Sequence, residues 1–229
     1  MVSHRTVGRL SLYRRLLNGL AGQGTRNVYS HQLAAMAGAT PAQVRRDLMA
    51  VGYMGSSTHG YDVSELTKSI GNFLDDQTGQ AAALFGIGNL GRAILSYFTG
   101  RRPNLSIVAA FDVDENKIGR VIHGCRCYSV EELETVAREN DIRLGILAVP
   151  AAAAQNVAEN MVRAGFRGIL NFAPAPLKVP AGVYVEDIDM TMSLEKVAYF
   201  ARQGARLQAA EIVEQENSRV LETAKGDQQ

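Results

Sequence analysis

The sequence of 229 residues has no long apolar run. No segment approaches the roughly 18 to 20 consecutive apolar residues that a membrane-spanning helix needs, and the start MVSHRTVGRL lacks the apolar core of a secretion signal. These absences predict a cytoplasmic protein with no membrane partner. With 46% hydrophobic residues, the chain can still bury a substantial core and has room for two small domains.

Cysteine is scarce as well, since Cys125 and Cys127 are the two in the chain. Two thiols, with His123 as one further candidate nearby, fall short of the four ligands that a structural zinc site takes. We therefore predict no metal site. A redox-active thiol pair and ordinary packing on an extended segment stay open as alternatives for the two cysteines.

Acidic residues are nearly absent from the first quarter of the chain. Residues 1–60 contain seven arginines and one acid, Asp47, for a net charge of +6. The other residues carry 17 basic and 22 acidic side chains, a net charge of −5. A basic first module on an acidic second one indicates that the first module binds a polyanion.

Three helical patterns occupy that basic module. The first runs over 7–20, the second begins with Ser30 as its N-cap, and the third has Thr40 as its N-cap and Pro41 at its first helical position. The short link between the last two predicts a helix-turn-helix. The glycine-punctuated stretch Val51–Val63 that follows predicts a small two-stranded wing. A helical cap or protein-docking module is the alternative.

In a helix-turn-helix, the second helix enters the major groove of DNA. Val44 and Leu48 are expected to face the core, which leaves the polar side chains of that helix outward. Glutamine can bind adenine bidentately and arginine guanine, although both can also hold phosphates. The predicted DNA-binding residues are Ser30, Thr40, Pro41, Ala42, Gln43, Arg45, Arg46 and His59.

The stretch AAALFGIGNLG, at 81–91, predicts a dinucleotide site. An apolar run typical of a strand ends in Gly86, Gly88 and Gly91, the spacing that allows a tight turn, a close approach of a pyrophosphate and close packing of the next helix. A second apolar strand, Leu105–Phe111, ends at Asp112, where an acid can bind the adenosine ribose and repel a 2′-phosphate. We therefore expect NAD(H) rather than NADP(H), with Lys117 as a weaker argument for a phosphate.

Two later strands, at 144–149 and 168–171, are expected to end at the same edge of a parallel sheet. The apolar residues after them would form a wall for the nicotinamide, and a neutral apolar wall favours reduced over cationic oxidised nicotinamide. The predicted cofactor-binding residues are Gly86, Ile87, Gly88, Asn89, Leu90, Gly91, Asp112, Val149, Pro150, Phe172, Ala173 and Pro174.

A hydride-transferring enzyme needs a proton donor and groups that orient a substrate, whereas the 117 residues after Asp112 are mostly needed to complete the nucleotide-binding fold. His123 is the one histidine there and has no evident partner, so we predict no catalytic residues and no enzyme. The chain ends in an apolar helical pattern from Met192 to about Ala224, which predicts a dimerisation helix. The expected fold is α/β, with a winged helix-turn-helix domain at 1–78, a Rossmann-type NAD(H)-binding domain at 79–190 and the dimerisation helix at 191–225.

The chain as a whole resembles the Rex family of redox-sensing transcriptional repressors. The motifs that carry the resemblance are LSLYRRLL at 10–17, PAQVRRDL at 41–48, GYDV at 60–63, GIGNLGRAI at 86–94, FDVDENKIG at 111–119, LAVP at 147–150 and GILNFAP at 168–174. The resemblance implies a homodimer that binds palindromic double-stranded operator DNA and is released by NADH as inducer, with NAD+ as the competing ligand.

The resemblance also implies an allosteric switch, in which Asp189 pairs with Arg15 in the DNA-bound form and with Tyr97 when NADH is bound. The chain departs from the family at two places. Family wings often carry lysine or arginine where this one has the sequence SSTH at 56–59, and some members have phenylalanine where this chain has Met190.

Two other functions remain as alternatives. One is an NAD-dependent oxidoreductase with an N-terminal helical docking module, which predicts substrate turnover. The other is a DNA-binding protein whose second domain binds another nucleotide, such as coenzyme A. Asp112 favours NAD(H) over the latter.

Overall fold

The computed structural model describes residues 2–56, 58–75, 79–100 and 104–204. The chain divides into two compact units, one comprising Met1–Gln80 with Gly100–Ser106 and the other Ala81–Thr99 with Ile107–Gln229. We call them the N-terminal unit and the sheet unit. No helix among the described residues is long and apolar enough to cross a membrane.

The described residues of the N-terminal unit form four helices and a two-stranded sheet. Its elements are α1 (His4–Gly22), β1 (Asn27–Val28), α2 (Ser30–Ala37), α3 (Pro41–Ala50), β2 (Tyr61–Asp62) and α4 (Val63–Leu74). Helix α3 begins as expected, with the Gln43 amide N–H donating to the side chain of Thr40 at 3.2 Å and proline in the first turn. Its Val44 and Leu48 are fully buried, as the helical spacing predicted.

The start of α2 and the wing differ from the predictions. Tyr29, not Ser30, is the N-cap of α2, and Ser30 is its first helical residue. The stretch 51–63 does not form a two-stranded wing by itself, because Ser56 and Gly60 make a single bridge and β2 pairs antiparallel with β1. A strand of two residues is too short to show an alternation of apolar and polar residues, so β1 could not be predicted from the sequence. Ser57 lies outside the described residues.

The sheet unit contains a seven-stranded, mostly parallel sheet with helices on both sides. Its elements are β3 (Gln80–Phe85), α5 (Asn89–Phe98), β4 (Leu105–Phe111), β5 (Val121–Ile122), β6 (Cys125–Tyr128), a 3-10 turn (Val130–Glu132), α6 (Leu133–Glu139), β7 (Leu144–Leu147), α7 (Ala151–Arg163), β8 (Gly168–Asn171), β9 (Tyr184–Asp187) and α8 (190–204). The strand order is β5-β6-β4-β3-β7-β8-β9. The order reverses between β3 and β7, which is where ligands bind in doubly wound sheets.

The core of the sheet unit lies on both faces of the sheet, because successive side chains of a strand point to opposite faces. Ala83 and Phe85 of β3 pack in one layer with α6 and α7, whereas Leu84 packs in the other with Ile94 and Leu95 of α5. This double burial explains why β3 is almost uninterruptedly apolar. The predicted bounds of β4 and β8 are confirmed, and β7 ends at Leu147, two residues earlier than predicted.

Helices α4 and α7 and strand β9 were not predicted from the sequence. The C-terminal helix begins at residue 190 and is described to residue 204. The remainder of the predicted helix, to about Ala224, lies outside the described residues.

Candidate functional site

Two glycines of the loop after β3 are required by the fold itself. Gly86 has a φ of 90°, and a Cβ on it would lie 2.6 Å from the carbonyl oxygen of Ala148. A Cβ on Gly91 would lie 2.0 Å from the carbonyl oxygen of Gly86. Both positions therefore exclude any side chain, one by its backbone conformation and close contact, the other because α5 packs directly onto the loop.

Gly88 is different, because a Cβ there would meet no protein atom within 4 Å. It is the N-cap of α5 and makes no side-chain capping hydrogen bond. The first amide N–H groups of a helix have no partner within the helix, and the helix dipole adds positive potential there. The open space beside Gly88 and these N–H groups fit the phosphates of a dinucleotide.

Asp112 anchors this loop from the end of β4. It is only 9% exposed, and its Oδ2 accepts from the Ile87 amide N–H at 2.7 Å and from Lys117 Nζ at 3.0 Å. Its Oδ1 accepts from the Asp114 amide N–H at 3.0 Å. Burial by itself raises the pKa of Asp112, but these hydrogen bonds and the lysine outweigh it and hold the pKa below its usual value.

Lys117 is paired with carboxylates on two sides. Its Nζ lies 3.0 Å from Asp112 Oδ2 and 3.5 Å from Asp114 Oδ2, and the hydrogen bond to Asp112 raises its pKa despite partial burial. Its charge is thus offset by two acids. This arrangement disfavours a phosphate beside Lys117 and leaves Asp112 Oδ1 as an acceptor for a ribose hydroxyl.

A cavity of about 270 Å³ lies against the glycine loop at the ends of β3, β4 and β7. Val149 and Pro150 line it, as do Gly86, Gly88 and Asp112. The remaining lining is mostly apolar and consists of Phe85, Phe111, Val113, Lys117, Val130, Ala148, Ala153 and Val157. The structure thus brings together the glycines, the acid and the first part of the predicted apolar wall.

The second part of that wall follows β8 and does not line this cavity. Phe172 is partly buried, Ala173 is buried and Pro174 is exposed. Asn171, itself 1% exposed, shapes this segment, because its Oδ1 accepts from the Ala173 amide N–H at 3.0 Å and its Nδ2 donates to the Ala175 carbonyl at 2.9 Å. Sequence reasoning missed Asn171, whose signal was a polar residue at the end of an apolar strand.

The same asparagine connects this segment to β9. Its Nδ2 donates to Asp187 Oδ1 at 2.7 Å, and β9 leads within two residues to Asp189. Asp189 caps α8, since its Oδ1 accepts from the Met192 amide N–H at 2.8 Å. Helix α8 exposes large apolar side chains, which are Met190, Met192, Leu194, Val197, Tyr199 and Phe200.

Most of the predicted DNA-binding residues lie on the surface of the N-terminal unit. Ser30 and Gln43 are partly buried, whereas the other predicted residues are exposed, namely Thr40, Pro41, Ala42, Arg45, Arg46 and His59. Arg45 Nη1 donates to Ser30 Oγ at 3.1 Å, which joins α3 to the start of α2. In the wing, the His59 carbonyl accepts from Asn27 Nδ2 at 3.0 Å. Arg15 on α1 is exposed, and Tyr97 on α5 is 56% exposed.

Asp47 ties α3 to α1, and sequence reasoning had counted it only as a charge. It is 2% exposed. Its Oδ2 accepts from Arg9 Nε at 2.6 Å and Tyr13 OH at 3.0 Å, and its Oδ1 from Arg9 Nη2 at 2.7 Å and Gln43 Nε2 at 3.0 Å. Burial opposes ionisation, but these donors lower the pKa of Asp47, while burial and the Asp47 contact raise the pKa of Tyr13 to about 12.

Cys125 and Cys127 are both buried in the layer of the sheet that contacts α5. Burial raises the pKa of Cys125 to about 11, which disfavours the reactive thiolate. Packing therefore accounts for both side chains. In the part of the chain that the structure describes, no three histidine, cysteine, aspartate or glutamate residues are grouped to hold a metal ion.

Two family models match the chain. Residues 1–48 match a model described as "Putative DNA-binding protein N-terminus", and residues 78–175 match one described as "CoA binding domain". Among curated proteins, the chain is 40% identical to the redox-sensing transcriptional repressor Rex of Geobacillus kaustophilus, over 88% of this chain and 94% of that one. It is 41% identical to the Rex repressor of Carboxydothermus hydrogenoformans, over 88% and 97% of the two chains.

Solved structures give a consistent result. A Rex-family repressor, RSP, in complex with NAD+ and operator DNA is 31% identical, with a TM-score of 0.82 over 92% of this chain and 97% of that one. RSP in complex with NADH is also 31% identical, with a TM-score of 0.79 over 91% and 98% of the two chains.

Proposed function

Because the chain belongs to the Rex family of redox-sensing transcriptional repressors, we propose that it is a homodimer that binds palindromic operator DNA and is released by NADH. Cofactor binding is supported above all by the open space beside Gly88, the one glycine of the loop motif that the fold does not need. The +6 charge of residues 1–60 supports the DNA half. Solved relatives bind NAD+ with operator DNA, and NADH.

On the DNA side, α3 lies in the major groove in this proposal, with its first turn toward the bases. Gln43, Arg45 and Arg46 supply the base and phosphate contacts, while Thr40, Pro41 and Ala42 allow close approach of the helix. Ser30 and His59 contact the phosphate backbone from α2 and the wing. The wing lacks lysine and arginine at 56–59, so we expect a small wing contribution.

On the cofactor side, the amide N–H groups at the start of α5 hold the pyrophosphate, next to Gly86, Ile87, Asn89, Leu90 and Gly91. Asp112 accepts from the adenosine ribose. Val149 and Pro150 line the cavity, and Phe172–Pro174 follow the neighbouring strand β8. In this proposal the two segments form an apolar wall for the nicotinamide, which is neutral when reduced and cationic when oxidised. Burying an unpaired charge costs free energy, so this wall favours NADH, and NAD+ acts as the weaker, competing ligand.

Selectivity against phosphorylated nucleotides follows from the charges around the ribose. A phosphate on the 2′-oxygen would face Asp112, while Lys117 is held by Asp112 and Asp114. NADPH is therefore a poor ligand in this proposal. The ribose of coenzyme A carries a phosphate on its 3′-oxygen and meets the same carboxylate, so the family model named for coenzyme A describes a related nucleotide fold here.

Dimerisation and switching involve the C-terminal helix. The apolar side chains that α8 exposes need a partner surface, and a second copy of the chain supplies it in this proposal. Asp189 pairs with Arg15 in the DNA-bound form and with Tyr97 in the NADH-bound form. The two states then differ in contacts at the start of α8, which is the requirement for coupling the sites.

Family membership identifies a transcriptional regulator and not an oxidoreductase with a docking module. A repressor of this kind needs access to both DNA and NADH, so we propose that it acts in the cytoplasm. The cofactor is then a signal that the protein reads without consuming it.

Fluorescence anisotropy of a labelled palindromic duplex tests the proposal. The duplex is titrated with protein at fixed salt and then with NADH, NAD+, NADPH or coenzyme A. We expect NADH alone to release the duplex strongly, with the roughly 5- to 150-fold affinity change typical of allosteric coupling. Equal operator affinity with and without NADH would reject the redox-sensing function, and release by coenzyme A would reassign the ligand.

A further inference from the structure

The buried carboxylate of Asp47 determines what Gln43 can present to DNA. Gln43 lies in the first turn of α3, one helical turn before Asp47, and its Nε2 donates to Asp47 Oδ1 at 3.0 Å. A carboxylate can only accept hydrogen bonds. The reverse orientation of the amide would place its Oε1 against Asp47 Oδ1, two acceptors with no hydrogen between them, so the chemistry of the contact fixes which end of the amide faces inward.

The carboxylate is itself held in place. Arg9 donates from Nε and Nη2 to its two oxygens, and Tyr13 donates from its hydroxyl to Oδ2. Arg9 and Tyr13 both belong to α1, and Tyr13 is fully buried. Asp47 is thus a fixed reference point on the recognition helix, because two side chains of a neighbouring helix set its position.

With one amide N–H bound to Asp47, Gln43 keeps Oε1 and its second N–H for a ligand. This is the pair that adenine requires, since adenine offers the N6 amino group as donor and N7 as acceptor in the major groove. Guanine offers two acceptors, N7 and O6, and O6 would oppose Oε1. The outward face of the amide therefore matches adenine and not guanine.

We propose that Asp47 is a positioning residue for operator reading, which fixes the Gln43 amide so that Gln43 selects adenine over guanine at one position of each operator half-site. The inference rests on the proposed DNA-binding function and names a specificity determinant within it. Arg9 and Tyr13 act through Asp47, and none of the three needs to contact DNA.

The test begins with the full-length wild-type protein and a random-sequence duplex library, from which the preferred palindrome is selected. Single base-pair changes of that palindrome then give a preference at each position, measured by anisotropy at fixed salt. Gln43→Ala identifies the position that Gln43 reads. We expect adenine to be preferred there by wild-type protein by about 5- to 150-fold, the range of a good bidentate pair.

Asp47→Asn is the decisive variant. Asparagine keeps an oxygen for Arg9 Nε and Tyr13 when its Nδ2 takes the place of Oδ1, at the cost of the Arg9 Nη2 hydrogen bond. That Nδ2 can donate to Gln43 Oε1, so the Gln43 amide can turn around. We expect the preference for adenine over guanine to fall by at least about fivefold at the Gln43 position and to stay unchanged elsewhere. Unchanged preference at that position, or an equal loss of affinity for every duplex, would overturn the proposal and leave the repressor function intact.

Tyr13→Phe is the matched control. It removes a donor from the other oxygen of the same carboxylate and keeps the Gln43 contact. We expect lower thermal stability and an unchanged base preference. A change of preference in Tyr13→Phe equal to that in Asp47→Asn would show a general structural effect and would also overturn the proposal.

If Asp47→Asn does not fold, the wild-type protein still permits a test by NMR. The side-chain amide signals of Gln43 are assigned by their loss in Gln43→Ala, and their exchange with water is measured without DNA. One hydrogen exchanging markedly more slowly than the other supports the contact with Asp47, and equally fast exchange of both overturns it. Failure of the library to yield any preferred palindrome would instead count against the DNA-binding function itself.

Discussion

In each unit of the molecule, a buried carboxylate pairs with a cation beside the functional element. Asp47 of the N-terminal unit is 2% exposed and pairs with Arg9, and Asp112 of the sheet unit is 9% exposed and pairs with Lys117. Asp47 orients a side chain, Gln43, whereas Asp112 binds a backbone N–H, that of Ile87.

The difference reflects what the two units bind in our proposal. Base edges in DNA differ in their donors and acceptors, so a reader of sequence needs side chains of defined orientation. Phosphates are the same in every nucleotide, and backbone N–H groups suffice to bind them. The N-terminal unit thus presents polar side chains on a helix surface to bind bases. The sheet unit has glycines in its loop, which leave the backbone N–H groups accessible to phosphates.

Removing each carboxylate is expected to have the largest effect. Asp47→Ala leaves Arg9, 29% exposed, without its partner and should destabilise the N-terminal unit by about 3 to 5 kcal/mol, the range for breaking a buried ion pair. Asp112→Ala should cost less, about 2 to 3 kcal/mol, because Lys117 keeps Asp114. Urea unfolding measures both, and equal costs in the two variants would contradict the distinction.

Substitutions in the glycine loop test whether the sheet unit binds the cofactor through its backbone N–H groups. Gly91→Ala brings a Cβ within 2.0 Å of a backbone oxygen and should destabilise the sheet unit by about 3 kcal/mol. Gly88→Val is the matched variant, since its Cβ meets only open space. It should unfold at nearly the wild-type urea concentration and bind NADH at least about tenfold more weakly, because the side chain occupies the phosphate site. Wild-type NADH affinity in Gly88→Val would contradict the assignment of the site.

The two carboxylates also make stability depend on pH. Both have a pKa below the unfolded value of about 3.9, so their contribution is present above that pH and is lost as the pH falls through the folded-state pKa. The stability difference between wild type and Asp47→Ala should therefore be constant from pH 5 to 7 and shrink as the pH falls below about 4. Urea midpoints at a series of pH values measure it, and a difference independent of pH would show that the charge of Asp47 contributes nothing.

Arg46→Ala should produce a smaller effect, confined to DNA binding. Arg46 is exposed on α3, so we expect unchanged folding and about tenfold weaker operator binding. If Arg46 contacts a phosphate, the salt slope should fall by about one unit; if it reads a base, sequence preference should relax instead. Anisotropy across a range of salt concentrations distinguishes the two, and unchanged affinity would remove Arg46 from the interface.

The elements that the sequence predicted well are those fixed by local chemistry. Gly86 and Gly91 mark a loop because neither position has room for a side chain. Pro41 after Thr40 marks a helix start because both residues suit the first turn. The strands β4 and β8 were readable because each is a nearly continuous apolar run, which is typical of parallel strands, although only Ala109–Phe111 of β4 is buried without interruption.

The features that the sequence did not predict depend on partners distant in the chain. Asp47 can be buried because Arg9, 38 residues earlier in the chain, forms an ion pair with it. No residue near Asp47 in the sequence indicates that pairing. Likewise β1 exists only through pairing with Tyr61–Asp62, and Asn171 shapes its loop partly through Asp187. Long-range pairs of this kind leave no periodic signal in a single sequence.

In our proposal, the glycine loop is the input of a switch whose output is DNA binding. Coupling between two binding sites is reciprocal, so the factor by which NADH weakens operator binding must equal the factor by which operator weakens NADH binding. NADH affinity is measured by calorimetry with and without saturating operator duplex, at the salt concentration used for the DNA titration. We predict that operator raises the NADH dissociation constant by that same factor, about 5- to 150-fold; an NADH dissociation constant unchanged by operator would contradict the account.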